Sequence, residues 1–243
     1  MACAFAFGLH AQIPHYSEEL LHEFTGGFPR YLTEFDGKIF FQGFDSTNGY
    51  ELWATDGTPS GTQMLLDIDP GFNSSSYSPN PAGAYVYNGF RFVNDGTNIF
   101  FVARDRNTPW YEIFASDGTS AGTRAITSFP NASPNSGPRD LIVANGTLYF
   151  TAAATGSDTE LWYARADGSF GLVCDIDPGP NDSTPNYLVH SGNKLYFGAS
   201  VSGTGREMWA LDLTTQTCGL VKDINPGSAQ GFVSWSVAAE DNQ

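Results

Sequence analysis

One phrase recurs along this chain and fixes most of what it can become. Residues 50–62 read YELWATDGTPSGT, and residues 111–123 read YEIFASDGTSAGT. Shortened forms follow as TELWYARADGS at 159–169 and REMWALDLTT at 206–215. The aromatic of the phrase falls at Trp53, Phe114, Trp162 and Trp209, so successive copies are 61, 48 and 47 residues apart. A unit of that length buries its apolar side against its neighbours rather than alone, so the repeat is an architectural unit first.

Around each copy the residues read as short antiparallel strands. Tyr31–Phe35 runs into Asp36-Gly37, a pair that tolerates positive φ and therefore turns a hairpin. Lys38–Phe44, Tyr50–Thr55 and Gln63–Ile68 follow, and Asp69-Pro70-Gly71 stops the run. The second set is Phe90–Val93, Ile99–Ala103, Tyr111–Ala115 and Arg124–Phe129; the third is Leu141–Ala144, Leu148–Ala153, Glu160–Ala164 and Gly171–Ile176. The fourth is Tyr187–His190, Lys194–Ser200, Glu207–Leu211 and Gly219–Ile224. Helical periodicity is absent over any useful length. Four strands in a period in the upper forties are the dimensions of a propeller blade. The expected fold is all-β: a β-propeller-like array of four-stranded antiparallel blades at about 30–69, 90–130, 141–177 and 187–225. These make one repeat domain over 19–243, with terminal strands of a fifth blade at 19–24 (ELLHEF) and 232–238 (FVSWSVA). Completion of that blade by another chain, closure as four blades, or membership of a longer propeller each fit this phase.

The run ELWATDGTPSGTQMLLDIDPG resembles the bacterial ELWxxDGT repeat, which occurs in tandem in secreted and surface proteins. The likeness is full in the first set, good in the second and partial in the last two. It implies a propeller-like fold and a secreted or cell-surface location; it carries no catalytic residues to transfer.

Composition narrows the partners. Eleven Lys and Arg against 26 Asp and Glu give a net charge of -15. Phosphate backbones need cationic surfaces, so nucleic acid is excluded as a partner. No apolar run is long enough to span a bilayer as a helix. Residues 1–18 read as a tail or signal-peptide remnant, with Cys3 in the apolar ACAFAFGL and Ala11 at a plausible cleavage position. Cys174 and Cys218 either pair, as an oxidising compartment allows, or remain buried thiols.

Several groups invite a chemical reading. Asp67 and Asp69, Asp175 and Asp177, and Asp223 with Asn225 each precede or meet a Pro-Gly stop. Residues i and i+2 of a strand share a face, so each pair is a calcium candidate; the competing reading is turn-capping by bonds to backbone N–H groups. Glu51, Glu112, Glu160 and Glu207 form a second series. They are expected to accept hydrogen bonds from backbone or from the DGT threonines Thr58 and Thr119, because a group repeated in every unit serves the unit. The repeat aromatics are read as inter-blade core. Trp110 and Trp235 stand outside the repeat and are the candidate binding residues. N-x-S/T sequons at Asn73, Asn131, Asn145 and Asn181 are glycosylation candidates in a eukaryotic secreted chain. GxSxG, P-loop, Rossmann and HExxH patterns are all missing, so the chain reads as no enzyme.

The functional expectation is a non-catalytic extracellular binding or structural module. It would engage a protein partner or itself through blade edges and the loops Asn73–Asn88 and Asn131–Arg139. A carbohydrate-binding, lectin-like propeller, with or without calcium, is the alternative, and a hydrolase at a central mouth is the third.

Overall fold

The computed structural model describes residues 20–24, 27–70, 92–104, 111–129, 137–153, 158–227 and 231. Among the described residues, sixteen strands form four antiparallel sheets, each in simple up-and-down order. Blade 1 is β1 (Arg30–Phe35), β2 (Lys38–Asp45), β3 (Gly49–Thr55) and β4 (Gln63–Leu66). Blade 2 is β5 (Val93–Asn94), β6 (Ile99–Ala103), β7 (Glu112–Ser116) and β8 (Arg124–Ala125). Blade 3 is β9 (Arg139–Ala144), β10 (Thr147–Ala153), β11 (Thr159–Ala164) and β12 (Phe170–Cys174). Blade 4 is β13 (Asn186–Ser191), β14 (Lys194–Val201), β15 (Gly205–Asp212) and β16 (Thr217–Lys222). The expected architecture, a β-propeller-like array of four-stranded blades, is the one found.

Strand alternation makes the two faces of each blade different, and blades stack unlike face on unlike face. Phe40, Leu52 and Ala54 of blade 1 pack against Ile99, Phe101 and Phe114 of blade 2. Phe100, Ile113 and Ala115 of blade 2 meet Leu148, Phe150 and Trp162 of blade 3. Tyr149 and Leu161 of blade 3 meet Leu195, Phe197 and Trp209 of blade 4. The repeat aromatics Phe114, Trp162 and Trp209 therefore belong to the inter-blade cores, whereas Trp53 of blade 1 packs beneath Phe24.

Three features depart from the sequence reading. The outer strands end early, before Ile68, Phe129, Ile176 and Ile224, because the N–H of each of these residues turns to a side chain instead of the ladder. In blades 1, 3 and 4 the outer strand also slips register at the residue before the tryptophan. Leu20–Phe24 forms no strand: it lies over the outer face of blade 1, where Phe24 packs edge-on against Trp53 at 5.1 Å and His22 stacks nearby at 4.7 Å. Cys174 and Cys218, left open by the sequence, form a disulfide with Cα atoms 6.2 Å apart. It ties the end of β12 to the start of β16 and so joins the outermost strands of two blades. Residues 1–18 with Cys3, and the expected strand at 232–238, lie outside the described residues.

Candidate functional site

The repeated glutamate is the centre of each blade's polar structure. Glu51, Glu112, Glu160 and Glu207 are all buried. Each accepts a hydrogen bond from the backbone N–H where the chain leaves the outer strand. The distances are 2.9 Å from Ile68, 2.8 Å from Phe129, and 3.0 Å from both Ile176 and Ile224. The blades differ in what else they supply. Thr127 Oγ1 donates to Glu112 at 2.6 Å, and Ser183 Oγ donates to Glu160 at 2.7 Å while its N–H donates at 3.2 Å. Gly231 N–H donates to Glu207 at 3.0 Å. Burial pushes Glu51 up to about 8, with the Asp67 and Asp69 charges adding to it. Burial likewise raises Glu160, to about 7, against the opposing bonds from Ile176 and Ser183. The carboxyl is thus a clasp between the third strand and the exit of the fourth.

The threonines of the phrase have a different partner from the one expected. In blade 1, Thr58 donates to Asp56 Oδ1 from both its N–H (2.9 Å) and its hydroxyl (2.7 Å), not to Glu51. Gly61 N–H then donates to Thr58 Oγ1 at 3.0 Å, and Thr62 Oγ1 donates to Thr58 carbonyl oxygen at 2.7 Å and contacts Thr55 Oγ1 at 2.6 Å. Blade 2 repeats this bond for bond through Asp117, Thr119, Gly122, Thr123 and Ser116. Those hydroxyl and amide donors hold the Asp56 and Asp117 carboxyls below the usual carboxylate range. The recurrent sequence DGTxxGT is therefore the recipe for one closed loop. The glutamate lies too deep between sheets to be reached from it.

The aspartate pairs lie where the chain has left the sheet. Asp69 and Asp177 are buried, whereas Asp175 is exposed and Asp67 and Asp223 are half-buried. Their strands have already ended at Leu66, Cys174 and Lys222, so the alternation that would place i and i+2 together no longer holds. Asp177 Oδ2 accepts from the N–H (2.9 Å) and hydroxyl (2.8 Å) of Ser202, which bridges blade 3 to the β14–β15 turn of blade 4. Asp175 accepts from Gly179 N–H at 3.4 Å. Burial, and then the charges of Asp175, Asp182 and Asp177, push Asp158 up. Among the described residues no three carboxylate, imidazole or thiol groups converge as metal ligands.

Of the remaining candidates, Asn145 occupies the β9–β10 turn at φ 50, followed by Gly146 at φ 72, and Asn181 is exposed before β13. Trp110, Trp235, Asn73 and Asn131 lie outside the described residues. One polar group was missed from sequence: Arg206, buried at the start of β15. It donates to the carbonyls of Gly198 (2.9 Å) and Thr184 (3.2 Å) and to the Asn186 side chain. Burial pulls its pKa below the usual arginine value. Its signal was its position, since the residue before the glutamate is Tyr50, Tyr111 and Thr159 in the other blades.

No family model matches the chain, and no curated protein matches it. Solved structures do resemble it. A prolyl endopeptidase aligns at TM-score 0.54 and 13% identity, over 84% of this chain and 28% of its own. Puromycin hydrolase aligns at 0.48 and 18% identity, over 79% of this chain and 28% of its own. TolB from Acinetobacter baumannii aligns at 0.43 and 18% identity, over 78% and 42%. The chain thus spans little more than a quarter of the length of these peptidases. Likeness at this identity defines an all-β, propeller-like protein and carries the fold alone.

Proposed function

We propose that this chain is a non-catalytic extracellular binding or structural module, engaging protein partners or its own copies through blade edges and inter-blade loops. The observation that carries this reading is the apolar outer edge of the last two blades. Leu172 on β12 is 44% exposed and Val221 on β16 is 48% exposed, with Leu220 beside it. The Cys174–Cys218 disulfide holds these two outermost strands together. An outermost strand presents unpaired backbone groups, and apolar side chains along it make that edge a surface for another chain. The repeated glutamates Glu51, Glu112, Glu160 and Glu207 each accept a backbone N–H at the exit of the outer strand, a role that serves the blade. A secreted or surface location agrees with the disulfide and with the net charge of -15.

The test compares the wild-type chain with a Leu172→Lys, Leu220→Lys, Val221→Lys variant, both immobilised and offered extracellular proteins and a glycan array. Protein retention by the wild type that the variant loses is the expected result. Saturable glycan retention, unaffected by the variant, would replace this reading with the lectin.

A further inference from the structure

The dipeptide Asn-Gly occurs at two described turns, in opposite surroundings. Asn48-Gly49 lies where β2 turns into β3, and Asn145-Gly146 lies where β9 turns into β10. Asn48 is half-buried and Gly49 is buried. Asn48 is also tied down: its N–H donates to Asp45 Oδ1 at 2.8 Å, and its side-chain amide donates to Asp45 Oδ2 at 2.9 Å. Gly49 belongs to β3 and pairs with Asp45 in the ladder. Asn145 and Gly146 are both exposed, and together they make a two-residue turn between the paired Ala144 and Thr147. They stand at φ 50 and φ 72, the left-handed region that such a turn requires. No tie like that to Asp45 holds the Asn145 amide among the described residues. The space beside Gly146 is open, since an added Cβ would meet nothing within 4 Å. A third copy, Asn88-Gly89, lies outside the described residues.

We propose that Asn145 is a site of spontaneous covalent modification, at which the side-chain amide is lost and the residue becomes aspartate or isoaspartate. The backbone nitrogen of Gly146 attacks Cγ of Asn145 and forms a new N–Cγ bond. The side-chain nitrogen leaves as ammonia, taking the proton of the Gly146 nitrogen, and a five-membered succinimide remains. Water then opens the ring. Attack at Cγ restores the peptide bond and gives aspartate. Attack at the backbone carbonyl carbon breaks that bond and leaves the chain running through Cγ, which is isoaspartate. Water is the one co-reactant, and nothing is oxidised or reduced. Glycine suits the step because it has no side chain to keep its own nitrogen from approaching. Ring closure also needs Asn145 to rotate out of the turn, a local opening that an exposed hairpin tip makes at little cost. At Asn48 the same rotation would break the bonds to Asp45 and draw a buried glycine out of the ladder. Conversion of Asn145 adds a negative charge, and the iso form adds one methylene to the backbone of the turn. The strands on either side carry Val143 and Leu148 into the core between blades 2 and 3, so blade 3 feels the longer turn. The sequon at Asn145 disappears with its amide.

The test incubates the folded full chain in mildly alkaline buffer and follows its proteolytic peptides by mass spectrometry, with electron-transfer fragmentation to separate isoaspartate from aspartate. The peptide holding Asn145 should gain the mass of an amide-to-acid exchange, several-fold faster than the peptide holding Asn48. In concentrated urea, where neither turn persists, the two rates should converge. Asn145→Gln, which would have to close a larger ring, should keep the wild-type circular dichroism and lose the mass gain from its peptide. A folded chain whose Asn145 stays intact while the unfolded chain converts overturns the proposal. So does an Asn48 that converts as fast as Asn145 in the folded chain, or a mass gain that survives in Asn145→Gln, which would assign it to another residue of that peptide.

Discussion

The first two blades and the last two share a backbone plan but are held by different bonds. Blades 1 and 2 close their third and fourth strands with the same hydroxyl-rich loop, in which an aspartate, two threonines and a glycine satisfy one another. Blade 3 replaces it with a tight turn in which Ser169 N–H donates to Asp167 at 2.7 Å, and blade 4 with one in which Thr214 and Thr215 N–H groups donate to Asp212. The later pair is joined by a covalent tie, Cys174–Cys218, and by inter-blade polar contacts that include Ser202 N–H and Oγ on Asp177. A four-stranded blade constrains the apolar positions and the buried glutamate. It leaves the outer loop open to several solutions of similar merit.

The largest effect expected from breaking this comparison comes from the disulfide. Cys174 and Cys218 are 44 residues apart, and closing a loop of that length stabilises by about 4 kcal/mol in the chain-entropy account. Cys174→Ser with Cys218→Ser should lower the urea midpoint substantially. Protection from hydrogen exchange should fall in β12 and β16 well before β3 and β7. Equal loss across all four blades would show that the array unfolds as one unit and that the tie is not local to the last two.

The second effect is the pH dependence of the glutamate clasp. Glu51 and Glu160 have pKa values of about 8 and 7 in the folded chain, above the usual carboxylate range of an unfolded one. A raised carboxyl binds more protons folded than unfolded. Its contribution is therefore fully present below the unfolded pKa and is lost as pH rises through the folded value. At about 1.4 kcal/mol per pKa unit, Glu51 alone removes on the order of 3 kcal/mol between pH 5 and pH 9. Unfolding midpoints at pH 5, 7 and 9 should fall with pH, and Glu51→Gln should flatten the slope more than Glu160→Gln. Ser183→Ala should bring blade 3 closer to blade 1, because it removes the hydroxyl bond that favours the Glu160 carboxylate and leaves only the backbone one. A slope that survives both Gln substitutions would place the titration elsewhere.

Much of this architecture was legible in the residues themselves. All sixteen strands could be placed because Asp36-Gly37, Asn145-Gly146 and the recurring ELW phrase punctuate the alternating apolar runs. The errors share a cause. Alternation was carried past Leu66 and Cys174 into DIDPG, where the chain has left the sheet. The glutamates do accept from backbone, one of the two expected donors, but which N–H groups, 16 or 17 residues downstream, has no signature in sequence. Arg206 was passed over for a related reason. One charged residue at a strand start looks solvent-facing until the carbonyls of Gly198 and Thr184 are seen to converge on it.

The third effect distinguishes the two loop designs directly. A Cβ built on Gly61 would lie 1.9 Å from Asp56 Oδ1, and one on Gly122 would lie 2.0 Å from Asp117 Oδ1. Neither position needs positive φ, so Gly61→Ala and Gly122→Ala act through the carboxylate alone. Each should displace the aspartate from its threonine and lower the denaturant midpoint, by less than a buried loss would, because the freed groups face solvent. Gly219, on β16 of blade 4, has nothing within 4 Å of such a Cβ. Gly219→Ala should therefore be nearly neutral.

The smallest effect concerns the bridge between blades 3 and 4. Ser202→Ala removes the 2.8 Å hydroxyl bond to Asp177 and leaves the 2.9 Å backbone bond in place, so it should cost about 1 kcal/mol. Because Asp177 is buried, Asp177→Ala strands both donors of Ser202 and should cost more than Ser202→Ala alone. In the double variant the two losses should be less than additive, since both remove the same contact. Additivity, read from denaturant midpoints, would mean that Asp177 acts through some other group, and that the last two blades are joined by the disulfide and apolar packing without this polar bridge.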